Sequence, residues 1–185
     1  MSGNDDARIG ILSSMITPPP DNPHADFPDQ PQSTGSLIMA GLLELPAAGA
    51  PFDPYRSLFA CLLLAHLIRN SEHAKKLARE LTLPGLGNAE SAIADEDDKV
   101  SLVQLVVGNL MMAEREQTEC VNRSAKEGKP VGSTEEEDWT RVEVGYLVLL
   151  CTWLWDSPKT VKEFLSESAN LQVVSRDSSV DTGMY

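Results

Sequence analysis

The chain has 185 residues, of which 42% are hydrophobic and only 5% aromatic, and this length favours one domain. Acidic residues outnumber basic ones 28 to 15, which gives a formal net charge of −13. That charge repels phosphate backbones and anionic lipid surfaces, so composition predicts no nucleic-acid partner and leaves room for a partner with a basic face.

The first part of the chain, residues 1–32, is predicted to be a flexible N-terminal segment followed by a Pro-rich linker. Its start is polar and acidic, unlike a secretory signal. Six of the twelve prolines lie between Pro18 and Pro31. Their spacing permits polyproline II ligands, but no basic anchor accompanies them, so an irregular loop is favoured.

Three helices are predicted next. Ser33 or Thr34 can cap a short helix over 33–45, and a long apolar helix follows over about 55–69. A shorter, one-sided amphipathic helix is predicted over 71–81, after a sharp polar corner.

A loop is predicted over 84–99, and its acidic run Asp95–Asp98 lacks the glycine and the distal glutamate of a calcium loop. A solvated loop is therefore favoured. A further apolar helix is predicted over 100–116, where Gly108 suggests the close approach of a neighbouring helix. The polar stretch 117–138 is predicted to be a mobile insertion.

A second long apolar helix is predicted over 139–155. Ser157 then caps a short helix that has Pro158 at its first position, where the missing N–H costs nothing. A further turn is predicted over 168–174, and residues 175–185 are predicted to be a disordered tail. The head fragment would thus span 33–174.

The passage around the first corner recurs at the second, at an offset of about 87 residues. The matching pairs are Leu62 and Leu149, Leu63 and Leu150, Leu67 and Leu154, Ala74 and Val161, Leu77 and Phe164, and Ala78 and Leu165. Such self-similarity predicts an all-α, armadillo-like helical-repeat solenoid, here a fragment with disordered Pro-rich and acidic loops. The apolar stretches Leu58–Ile68 and Val144–Trp155 are too short to cross a bilayer, so we expect both to be helices buried on all sides.

These residues resemble a known family. Arg141–Leu171, with Val-Gly-Tyr-Leu-Val-Leu-Leu-Cys-Thr-Trp-Leu-Trp at 144–155, is similar to the globular head of the general vesicular transport factor family, which tethers vesicles in ER-to-Golgi traffic. Leu58–Leu81 and Val100–Met111 fit the preceding part of that head, and the resemblance covers roughly residues 35–172. It implies an armadillo-like head, self-association, and partners among Rab GTPases, SNAREs and tethering complexes.

No catalytic, cofactor-binding or metal-binding residue is predicted. His24, His66 and His73 lack the spacing of a zinc site, and no Gly-x-Ser-x-Gly elbow or phosphate-binding loop occurs. A helical hydrolase is disfavoured, because the sequence contains no recognisable pair of a nucleophile and its general base. Cys61 and Cys151 are expected to be reduced thiols packed as small apolar residues inside the long helices.

One docking spot is predicted. Residues two apart on a helix point to different sides, so we expect either Trp153 or Trp155 to be exposed. An exposed Trp155 beside Lys159 and Lys162 would suit a protein partner.

The sequence therefore predicts a non-catalytic, protein-binding module of a vesicle tethering factor, acting in ER-to-Golgi transport and membrane docking or fusion. It needs no cofactor and no transmembrane segment, and it would be cytoplasmic, peripheral to ER and Golgi membranes. The alternative is a generic helical-repeat adaptor unrelated to vesicle traffic.

Overall fold

A computed structural model describes residues 3–15, 33–43, 53–84, 99–128 and 132–166. The predicted linker, the acidic run, the turn over 168–174 and the C-terminal tail lie outside these ranges. Within them the chain is almost entirely helical, which confirms the all-α, armadillo-like prediction. The helices are α1 (Gly3–Ser13), α2 (Thr34–Leu43), α3 (Pro54–Ile68), α4 (Glu72–Glu80), α5 (Leu102–Lys126), α6 (Thr134–Leu154) and α7 (Pro158–Ser166).

The N-terminal segment was predicted to be flexible, but its first part is helix α1. Leu12 and Met15 are buried, because α1 packs against α4 and α2. Leu12 and Met15 belong to the same buried core as residues of the later helices. The division of the chain into 1–32, 33–174 and 175–185 stays a prediction.

The helices form two successive layers. Helix α2 packs against α3 and α5 packs against α6, while the two long helices α3 and α6 lie side by side. The units are therefore α1-α2-α3 and α4-α5-α6, with α7 as the first helix of a third.

Helices α3 and α6 each end in a corner of the same geometry. Asn70 and Asp156 adopt the left-handed conformation, with φ of 57° and 51°. The next residue, Ser71 or Ser157, donates its backbone N–H to Ile68 or Leu154 at 3.3 Å. This match places the repeat offset one residue shorter than the sequence comparison did, because hydrogen bonds define the corner more sharply than apolar spacing.

Polar side chains of α4 hold the second corner in place. Lys75 donates to the Trp155 carbonyl, and Arg79 donates to the Thr160 hydroxyl at 2.8 Å. The Ser157 hydroxyl donates to the Glu72 carboxylate at 3.1 Å. Three residues of the corner, Trp155, Ser157 and Thr160, thus each form a hydrogen bond with a side chain of α4. These bonds fix the position of the corner along α4.

Helix α5 is longer than predicted, and most of the predicted mobile insertion 117–138 is helix, since α5 runs to Lys126 and α6 starts at Thr134. A capping box of Ser101 and Gln104 begins α5. Just before it, the short strand β2 (Lys99–Ser101) pairs antiparallel with β1 (Thr82–Pro84), a pairing that the sequence did not predict.

The close approach of helices was assigned to the wrong glycine. No atom lies within 4 Å of a Cβ built on Gly108, whereas one on Gly145 would lie 3.2 Å from the Cα of Leu58. A side chain at Gly145 would crowd α3, so glycine favours the close contact between α6 and α3. Asn109, next to Gly108, is buried and donates to the Leu42 carbonyl at 2.7 Å, which satisfies an end of α2.

Candidate protein-docking face

The exposed sides of α3 and α6 are apolar. We call this surface the α3–α6 face. Its large apolar side chains are Tyr55, Phe59, Leu62, Leu63, Val144, Leu147, Val148 and Trp155, each between 38% and 77% exposed. Helical spacing puts the α3 members on one stripe and the α6 members on another. The prediction that both helices are buried on all sides is therefore wrong.

The two stripes form one surface, because α3 and α6 run parallel and touch along their length. At the start of α3 the centre of the Tyr55 ring lies 5.4 Å from the guanidinium of Arg141 on α6. Their ends line one cleft of about 400 Å³, to which Arg69, Thr152 and Trp155 all contribute.

An apolar surface of this kind is unusual on a protein without a partner. Single exposed apolar residues are ordinary, but contiguous patches rimmed by polar groups mark interaction sites. The rim here carries Arg141, which is held by Glu137 at 2.9 Å and Asp138 at 2.6 Å. An aromatic and aliphatic centre with charges at the edge is the usual anatomy of a protein interface.

The predicted docking residues do not share one groove. Trp153 is fully buried and Trp155 is 77% exposed, so the expectation that one tryptophan faces solvent is met. Trp155 lines the cleft at the end of the α3–α6 face, whereas Lys162 lines a separate groove beside α7. Lys159 is exposed and lines neither. The role of Trp155, Lys159 and Lys162 in docking stays a prediction.

The ionisable groups under the face are held neutral. Burial raises the pKa of the Cys61 thiol to about 12 and also raises the pKa of the Tyr146 hydroxyl, so both stay protonated at neutral pH. Tyr146 donates to the Leu42 carbonyl at 2.9 Å. Cys151, in contrast, is exposed on the α3–α6 face, so the prediction that it packs inside as a small apolar residue is wrong.

The described residues gather no group of three or more His, Cys, Asp or Glu side chains that could hold a metal ion. His66 lies on the exposed side of α3, and His73 lies exposed in the first turn of α4. His24 lies outside the described ranges.

Comparison with protein families assigns the chain. The model of the family described as Uso1 / p115 like vesicle tethering protein, head region, matches residues 1–182. The chain belongs to this family. A search of curated proteins found no match.

The family match confirms the resemblance found in the sequence and widens it. The sequence supported roughly 35–172, whereas the family model also takes in α1 and continues to residue 182. In the described part of the head, no helix combines the length and hydropathy that a membrane span requires. The α3–α6 face was missed because its residues read as core, and only the arrangement of the neighbouring helices shows which side stays uncovered.

Proposed function

We propose that this head is a non-catalytic protein-binding module that acts in ER-to-Golgi transport, in the docking and fusion of vesicles. It works in the cytoplasm, at the surface of ER and Golgi membranes. Its partner would be a Rab GTPase, a SNARE or a tethering complex, as the sequence resemblance implies, and the match to a vesicle tethering family supports a role of this kind. The alternative of a generic adaptor has no observation in its favour.

The observation that carries the proposal is the α3–α6 face on the head of a vesicle tether. Its centre is apolar and aromatic, and the two helices beneath it are joined closely enough to act as a rigid platform, with Gly145 against Leu58. Large aromatic and aliphatic groups at the centre of an interface carry most of its binding free energy.

The test compares two double variants of the chain in binding to a purified Golgi Rab GTPase, in both nucleotide states, and to purified SNAREs. In the first, Phe59→Ser and Leu147→Ser remove apolar groups from the α3–α6 face. In the control, Leu37→Ser and Leu43→Ser remove similarly exposed groups from α2.

We expect the first variant to bind at least roughly 30-fold more weakly, since interface anchors each contribute about 2 kcal/mol. The control should bind like the parent. Equal binding by both variants would show that the partner docks elsewhere. No binding by the parent to any of these proteins would remove the trafficking proposal itself.

A further inference from the structure

A second apolar surface lies beside α7 and shares no residue with the α3–α6 face. It is a shallow open groove of about 710 Å³. The groove is lined by Leu154, Asp156, Ser157, Pro158, Val161, Lys162 and Leu165. Leu165, a large apolar side chain of the amphipathic helix α7, is 49% exposed.

The groove on α7 occupies the position that the surface of α4 occupies one layer earlier. When the two corners are superposed by their hydrogen bonds, Pro158, Val161 and Leu165 fall on Glu72, Lys75 and Arg79. Those α4 residues are the ones that hold the next corner, through Trp155, Ser157 and Thr160. The groove is therefore the next stacking surface of the array.

The chemistry of this surface changes along the array. In α1, Arg8 donates to the Arg69 carbonyl at the first corner at 3.3 Å, and in α4, Lys75 donates to the Trp155 carbonyl at the second. At the equivalent position α7 has Val161, which cannot donate. A corner of the same kind would leave its carbonyl without that partner, so the groove suits an apolar segment.

We propose that residues 168–174 of this same chain cover the groove, through Leu171, Val173 and Val174. This segment follows α7 directly, and the family match continues through it to residue 182, so it belongs to the head. Covering the groove removes Val161 and Leu165 from water, and the segment is held close by the chain itself.

The chain is long enough for this return. From the end of α7 at Ser166 to Leu171, five residues span up to about 17 Å. Helix α7 has nine residues and is about 13.5 Å long. A segment tethered so closely has an effective concentration of the order of millimolar, which favours it over a free competitor.

The test measures how fast a maleimide modifies a single cysteine in the groove. Leu165→Cys is made in the full chain with Cys151→Ser, so that the exposed native thiol does not interfere. The reference probe is Leu37→Cys in the same background, because Leu37 on α2 is also 49% exposed. The segment is then perturbed by Leu171→Asp, with Gln172→Asp as a control of equal added charge.

If the segment covers the groove, Leu165→Cys reacts at least about 10-fold more slowly than Leu37→Cys, since modification then requires local opening. Leu171→Asp restores the fast rate and Gln172→Asp does not. Equal rates for the two probes would show an open groove and overturn the proposal. A slow rate that Leu171→Asp does not change overturns the proposal too. If that rate then depends on protein concentration, a second copy of the chain covers the groove, and if it does not, another part of the same chain does.

Discussion

Adding one methyl group at Gly145 tests whether the two long helices lie as close as the structure places them. In an exposed helical position, replacing glycine with alanine stabilises a protein by about 1 kcal/mol. At Gly145 the new Cβ would lie 3.2 Å from the Cα of Leu58 and 3.4 Å from the Cβ of Cys61. Overpacking of this kind costs about 1–3 kcal/mol, so the helical gain is outweighed and the net loss is about 1 kcal/mol.

Gly108→Ala is the matched control, because Gly108 is also inside a long helix but meets no atom within 4 Å. It should gain the full helical term of about 1 kcal/mol. The two variants then differ by about 2 kcal/mol, or by roughly 4–8 °C in melting temperature for a chain of this size. Thermal and urea unfolding measure this difference. If Gly145→Ala stabilises the chain as much as Gly108→Ala does, α3 and α6 are not in close contact.

Three further outcomes are expected. In the folded chain a thiol reagent should modify Cys151 quickly, while Cys61, whose pKa burial raises to about 12, reacts only after unfolding; fast modification of more than one thiol, counted by mass, would contradict the described burial. Burial also raises the pKa of Glu143, so its ionised form opposes folding above that pKa and the cost disappears as pH falls through it. Glu143→Gln should therefore stabilise the chain at pH 7 and lose this advantage in acid, and an advantage that is constant across a pH series of urea midpoints would refute the assignment. Arg79→Met should lower stability by about 1–3 kcal/mol, and the loss should shrink in a Thr160→Val background, since the two side chains share a hydrogen bond; strictly additive losses would show that they act independently.

Local signals in the chain were sufficient for most helices and for both corners. Ser71 and Ser157 have the side chains that cap a helix, and each follows a residue type that tolerates the left-handed conformation. The apolar periodicity of the short helices likewise indicated which side is covered. Where the signal is weak, as at the start of α1, the helix exists because Leu12 and Met15 find a surface on later helices.

The candidate site shows the opposite case. A helix such as α6 that is apolar on several sides does not specify which side its neighbours cover. Val148 and Leu149 are both aliphatic, yet Val148 faces solvent and Leu149 lies in the core. The docking residues were predicted in part, since Trp155 is exposed, but the surface that it belongs to depends on α3, far away in sequence.

The sequence by itself determined the helical repeat, the corners and the family, because caps, periodicity and turn residues act within a few positions of the chain. Only the tertiary structure decided that α3 and α6 lie side by side, that α6 meets α3 at Gly145 whereas Gly108 has open space beside it, and that one apolar side remains open. The physical reason is that burial is a property of pairs of surfaces. An apolar stripe specifies that it gains free energy when covered, but what covers it, or leaves it free for a partner, is set by elements from elsewhere in the chain.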